Sequence, residues 1–197
     1  MSKVKFGLCN VALAPRTVAS SGGKITYGTP VKLPGAVSSS VARESSQNKF
    51  FADNIPYFVS NSKSGQTIDL EVADIPREIL KEFLGYIEAK GGGILETNTP
   101  VTPSFALLFQ VETDAKARKF CFYNCVAVES DEEYDTEEET IDPTTSKLSI
   151  TVSGEQVEDL LVFKQVSEQG DENYETFFTD RKSTRLNFQS RQYLVCR

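Results

Sequence analysis

Residues 63–93, KSGQTIDLEVADIPREILKEFLGYIEAKGGG, change hydrophobic period once, and that change narrows the folds open to the chain. At the start, Ile68, Leu70 and Val72 alternate with Thr67, Asp69 and Glu71, a strand with one apolar and one charged face. Further on, Ile79, Leu80, Phe83, Leu84 and Ile87 fall on a single helical stripe. Pro76 suits a first helical turn, Asp74 can cap it, and Gly91-Gly92-Gly93 can end it. The spacing therefore predicts one helix near 76–90. No other segment has a helical period this clear. A helix laid by its stripe against a sheet is the expected centre of the core.

The other apolar segments read as strands. They lie at 3–13, at Ile25–Tyr27, at Phe105–Val111 (FALLFQV) and at 119–128 (KFCFYNCVAV), the last two joined as a hairpin by a turn over 112–118. Residues 147–153 alternate with Leu148, Ile150 and Val152 inward, a further strand is expected at 160–166, and 174–178 is a short apolar patch. Seven to nine strands and one helix make the fold class mainly β: a two-sheet β-sandwich or barrel with one flanking helix. Residues 38–61 are long and polar, yet hold Phe50, Phe51, Tyr57 and Phe58. A disordered linker would be poorer in aromatics, so this stretch is expected to be a loop or hairpin packed on its own domain or on a neighbour.

No apolar run approaches the roughly 20 residues that span a bilayer, so no membrane association is expected. The apolar part of the first residues is too short for a signal peptide, and folding in the cytoplasm is the expectation. The four cysteines fit reduced thiols. Cys121 and Cys125 share strand parity and would stand about 13 Å apart, too far to pair, while Cys9 and Cys196 are isolated. There is no histidine, which removes the common general base, the Ser-His and Cys-His pairs and histidine metal sites. Cys121-x-x-x-Cys125 lacks zinc spacing, and the glycines do not follow phosphate-cradling patterns. No catalytic, cofactor-binding or metal-binding residue is assigned, and no cofactor is expected. Residues 129–142 carry nine carboxylates and no base, but lack the alternating oxygen ligands and central glycine of a calcium loop. They read as a solvated, self-repelling loop or as an acidic surface within an assembly.

Net charge is −7, unevenly spread. Five of the 21 bases and none of the 28 acids fall in 181–197, so residues 1–180 hold 16 bases against 28 acids, a net of −12. An acidic body argues against a grip on nucleic acid, though not against nucleic acid passing nearby.

From about residue 3 to 180 the chain resembles, in order and spacing, the major tail proteins (tail-tube proteins) of long, non-contractile-tailed bacteriophages and prophages of Gram-positive bacteria. The stretches that carry the resemblance are KVKFGLCNV, GKITYGTPVKLPGAVSSSV at 23–41 and FFADNIPYFVSNSKSGQTIDLEVADIPREILKEFLG at 50–85. PSFALLFQVETDAKARKFCFYNCVA at 103–127 and EEETIDPTTSKLSITV at 137–152 complete it. The resemblance implies a β-sandwich flanked by a helix, in hexameric rings stacked into a hollow tube through which the genome is ejected. It implies a loop reaching the adjacent ring, matched here by 43–60, which makes Phe50, Phe51, Ile55, Tyr57 and Phe58 candidate intersubunit anchors. Implied partners are further copies of the chain and the tail terminator, tail tip and tape-measure proteins, with DNA passing without specific binding. The implied location is the virion tail, assembled in the host bacterial cytoplasm.

A lumen that repels phosphate suits the −12 body, and by alternation Asp69 and Glu71 are candidates for a lumen-facing or acidic surface. The expected domain is 1–180. The basic segment 181–197, RKSTRLNFQSRQYLVCR, departs from the pattern and reads as an appended or mistranslated segment, or else as a genuine basic arm. Two readings of other classes remain: a soluble carbohydrate- or surface-binding β-sandwich module with aromatics lining a groove, and a hydrolase using two acids. The second is disfavoured because the acids cluster on one loop.

Overall fold

The computed structural model describes residues 7–18, 25–52, 55–112, 116–129, 144–157 and 160–178, and over 46–52, 56–57 and 59–61 it describes the backbone only. The expected strand at 3–13 falls partly outside these residues, the apolar patch at 174–178 lies within them as turns, and the acidic run falls outside them apart from Glu129. The strands are β1 (Leu8–Val18), β2 (Ile25–Tyr27), β3 (Val31–Lys32), β4 (Ala36–Ala52) and β5 (Ile55–Val72). Helix α1 (Arg77–Phe83) follows, then β6 (Ile87–Glu88), β7 (Ile94–Leu95), β8 (Phe105–Val111) and β9 (Lys119–Glu129). The chain continues through β10 (Ser146–Val152), β11 (Glu155–Val157), β12 (Leu160–Val162) and β13 (Lys164–Ser167). Over the described residues the protein is mainly β with one helix, as the sequence predicts.

The main sheet runs β2-β1-β8-β9-β10-β5-β4, with β3 added to β1 and β13 to β9. Its path curls until β4 approaches β1. Apolar side chains from both halves then meet in one cluster: Val11, Leu13, Leu107 and Phe109 from one, Ile68, Leu70, Leu148 and Ile150 from the other. That enclosed cluster is the sandwich-like core. Helix α1 closes it with Ile79 and Phe83, and the Phe83 ring meets Phe105 edge-on at 5.4 Å.

Side-chain alternation explains why some strands read as mixed and others as wholly apolar. In β5 and β10, Ile68, Leu70, Val72, Leu148, Ile150 and Val152 point into the core while their neighbours face out. In β1, β8 and β9 both faces are covered. Ala12, Ala14, Ala106, Leu108, Cys121 and Tyr123 form a second cluster on the outer face, beneath Tyr27 and Phe177. Burial on two sides removes the need for polar residues, hence FALLFQV.

Four local expectations are corrected. The helix is shorter than 76–90, because Gly85 turns the chain at φ +78°, where an added Cβ would lie 2.9 Å from the Val101 carbonyl oxygen. The Tyr86 amide closes the end on the Leu80 carbonyl. Ile87 therefore leaves the stripe and is exposed, and Gly91–Gly93 belong to the β6–β7 turn instead. Pro76, not Asp74, occupies the cap position, without a side-chain cap. Cys121 and Cys125 do not share a face, because a bulge shifts the β8–β9 register between Phe105 and Leu107, with Asn124 at φ 52°. Cys121 joins the outer cluster and Cys125 the core, both as free thiols. Finally, the strand expected at 160–166 is broken at Phe163 into β12 and β13.

Candidate assembly surfaces

The hairpin β4–β5 has two parts with different surroundings. At its base, β5 pairs with β10 from Val72↔Ser146 to Gln66↔Val152 while pairing with β4 on its other side. Beyond Gln66 the strands pair only with each other, from Ser45↔Lys63 to Ala52↔Ile55, and no other strand joins them among the described residues. At strand rise this two-stranded arm is about 25 Å long. The division is marked by a register shift between Glu44 and Ser45, and a second shift between Phe50 and Phe51 leaves Tyr57 as the extra residue near the tip.

The anchors predicted from sequence thus gather at one place. Phe50 lies opposite Phe58, Phe51 opposite Pro56 and Ala52 opposite Ile55. The side chains of Phe50, Phe51 and Tyr57 lie outside the described residues. Those of Ile55 and Phe58 are 63% and 61% exposed. Two large apolar side chains at the end of an arm with no sheet behind it are an unpaid desolvation opportunity for a partner surface.

The other predicted pair, Asp69 and Glu71, stands on the outer face of the base. Register aligns Ser40, Asp69, Ser149 and Val128 in one row across β4, β5, β10 and β9, and Ser38, Glu71 and Lys147 in the next. Glu71 accepts hydrogen bonds from Thr145 Oγ1 at 2.6 Å and Ser38 Oγ at 2.8 Å, and Asp69 from Ser149 Oγ at 3.3 Å. The Thr145 and Ser38 hydroxyls hold the Glu71 carboxyl below its ordinary range, so it stays ionised at neutral pH. Hydroxyls satisfy the carboxylates without cancelling their charge, while Lys147 stands across from Glu71 and Val128, 63% exposed, ends the Asp69 row.

Two features escaped the sequence reading. Glu155 is buried and accepts from Arg16 Nε at 2.7 Å and Nη2 at 3.1 Å, and from the Tyr27 hydroxyl at 3.0 Å, which ties β11 to β1 and β2. The Glu155 hydrogen bond raises the Arg16 pKa, and burial raises that of Tyr27. Lys119 is buried beneath the C-terminal turns, donating to the Tyr174 carbonyl at 2.7 Å with its ammonium 4.0 Å from the Tyr174 ring centre. Neither contact has a local sequence signal, since Arg16 and Glu155 are 139 positions apart. Among the described residues no cluster of three or more metal-ligating side chains occurs, and no helix is long and apolar enough to cross a membrane.

A family model described as phage tail tube protein matches residues 40–194. The chain belongs to that family. The match takes in the arm, the helix and every strand from β5 onward, and it runs past the domain end expected at Asp180. Family membership makes the chain a structural subunit of a tail tube, and so of the virion tail. Among solved structures the tail-tube protein is similar to the cap that terminates the tube of the anti-feeding prophage. The TM-score is 0.50 at 7% identity, covering 85% of this chain and 94% of that one, a likeness of fold. Hcp1 from Flavobacterium johnsoniae aligns over 83% of this chain and 97% of its own at 12% identity, with a TM-score of 0.34. No curated protein matches the chain.

Proposed function

We propose that the protein assembles into stacked, hexameric rings whose channel conducts DNA during ejection, and that the β4–β5 arm carries the contact to the adjacent ring. The observation that supports this reading best is the arm itself. An isolated two-stranded ribbon is marginal in water, and ordering its backbone costs roughly 1–2 kcal/mol per residue. An arm with only one partner strand, ending in exposed Ile55 and Phe58, gains most by docking on another subunit. A contact between unlike surfaces closes into a ring or, where it does not close, repeats along one axis, and the two together make a tube from identical subunits.

On this reading the bare outer face of β4, β5 and β10 borders the channel. Asp69 and Glu71 there repel phosphate and let DNA slide. Tail terminator, tail tip and tape-measure proteins are the remaining partners, and assembly takes place in the host bacterial cytoplasm. Residues 1–180 are the tube domain, and 181–197 is an appendage without a role in the tube. The role is mechanical, with no catalytic step. The test is negative-stain electron microscopy of the full chain at high concentration, beside a chain ending at Asp180. Rings or tubes of uniform bore are expected from both, and persistent monomers from both would contradict the proposal.

A further inference from the structure

At the end of the enclosed core, between β4 and the β8–β9 pair, a cleft of about 280 Å³ opens to solvent. Its walls include Leu8, Val41, Phe109, Val111 and Phe120. Phe109 stacks on Phe120 at 5.1 Å and on Phe122 at 5.6 Å, so its floor is a row of three rings. Arg43 and Lys164 stand at its rim. The core is therefore not sealed here by the described part of its own chain, and the surface left open is apolar and concave.

The same strand bears both halves of a possible contact. Val41 and Arg43 of β4 line the cleft, and β4 continues into the arm whose tip exposes Ile55 and Phe58. By strand rise, cleft and tip are separated by about 35 Å along the paired strands, so one chain with its arm paired as here cannot bring them together. One is concave and apolar, the other convex and apolar, and they point the contact in a single direction. Such a pair is not self-complementary, so it does not make a closed two-fold dimer; repeated along one axis, it extends as an open filament.

We propose that this cleft is the seat for the arm of a second copy, with Ile55 and Phe58 of that copy's arm entering over the three stacked rings. The proposal rests on the arm making the axial contact, and it adds the receiving surface. Aromatic and aliphatic anchors sunk in a pocket are the features that dominate such interfaces. Arg43 and Lys164 at the rim supply donors for the carbonyl oxygens of the incoming strands.

The test mixes Phe58→Cys chains with Val41→Cys chains, allows assembly, adds oxidant and resolves the products without reductant. Both chains also carry Cys9→Ser and Cys196→Ser, so that only the buried native thiols remain besides the new ones. A disulfide-linked dimer is expected in the mixture and not with either variant alone. The two positions lie about 34 Å apart along the ribbon, which rules out a link within one chain. Tubes that form without the mixed dimer would overturn the seat while leaving the tube reading standing. Failure of the unaltered chain to form tubes would remove the tube reading and the seat with it. Separately, Val41→Arg is expected to stop axial growth at an unchanged melting temperature, and normal growth of that variant would also overturn the seat.

Discussion

The base and the arm of the β4–β5 hairpin are the same two strands in two environments. In the base, Ile68, Leu70 and Val72 are essentially without exposure, and β10 supplies a third strand. In the arm the ladder continues for as long again, yet nothing else in the described chain stands beside it. The β4–β5 ladder runs through both parts, but only in the base does β5 carry a second ladder, to β10. The other difference is apolar burial, which is the dominant favourable contribution to folding. The lesson is that one hairpin can be half a folding element and half a binding element, with the register shift at Glu44–Ser45 as the boundary.

The largest effect that would break the comparison lies in the base. Ile68→Asp places an unpaired carboxylate at a fully buried position and is expected to cost more than about 4 kcal/mol, abolishing the cooperative thermal transition. Phe83→Ala, which empties the helix contact on Phe105, is expected to cost about 3–5 kcal/mol by chemical denaturation. In the arm, Phe58→Ser should change monomer stability by no more than about 0.5 kcal/mol while preventing tube growth. An arm variant that destabilised the monomer as Phe83→Ala does would erase the distinction.

Smaller effects sharpen the picture of the body. Burial pushes the Cys121 thiol up to about 12 and the Cys125 thiol higher still. Neither should react with a thiol reagent until global unfolding, and labelling that preceded unfolding would show a looser core. Smallest is Glu71. Its pKa is depressed by the Thr145 and Ser38 hydroxyls, so its contribution exists above the ordinary carboxylate pKa and fades as pH falls through the lowered one. The difference in melting temperature between the protein and Glu71→Gln should thus be present at neutral pH and vanish in acid. A difference independent of pH would contradict the assigned cause.

Much of this was readable in the residues. Alternation along 67–72 and 147–153 announced strands with one buried face, and the apolar runs in β8 and β9 announced strands, whose burial on two faces only the fold shows. The aromatics at 50–58 mark the stretch whose backbone forms the end of the arm. What stayed hidden depends on contacts distant in sequence. Gly85 ends the helix because Val101 crosses beside it, Asn124 swaps the face of Cys125 through a bulge, and Glu155 finds Arg16 only in the folded chain. The cleft beneath Val41 is likewise a product of how the sheet curls, which no single strand encodes.

The central claim is that the arm is completed by a neighbouring subunit. Hydrogen exchange of the backbone amides in 45–52 and 55–64, compared between monomer and assembled tube, tests it most directly. Fast exchange in the monomer and strong protection in the tube, with 66–72 protected in both, is the expected result. Equal protection of the arm in the monomer would show that the chain completes it alone, and would contradict the account.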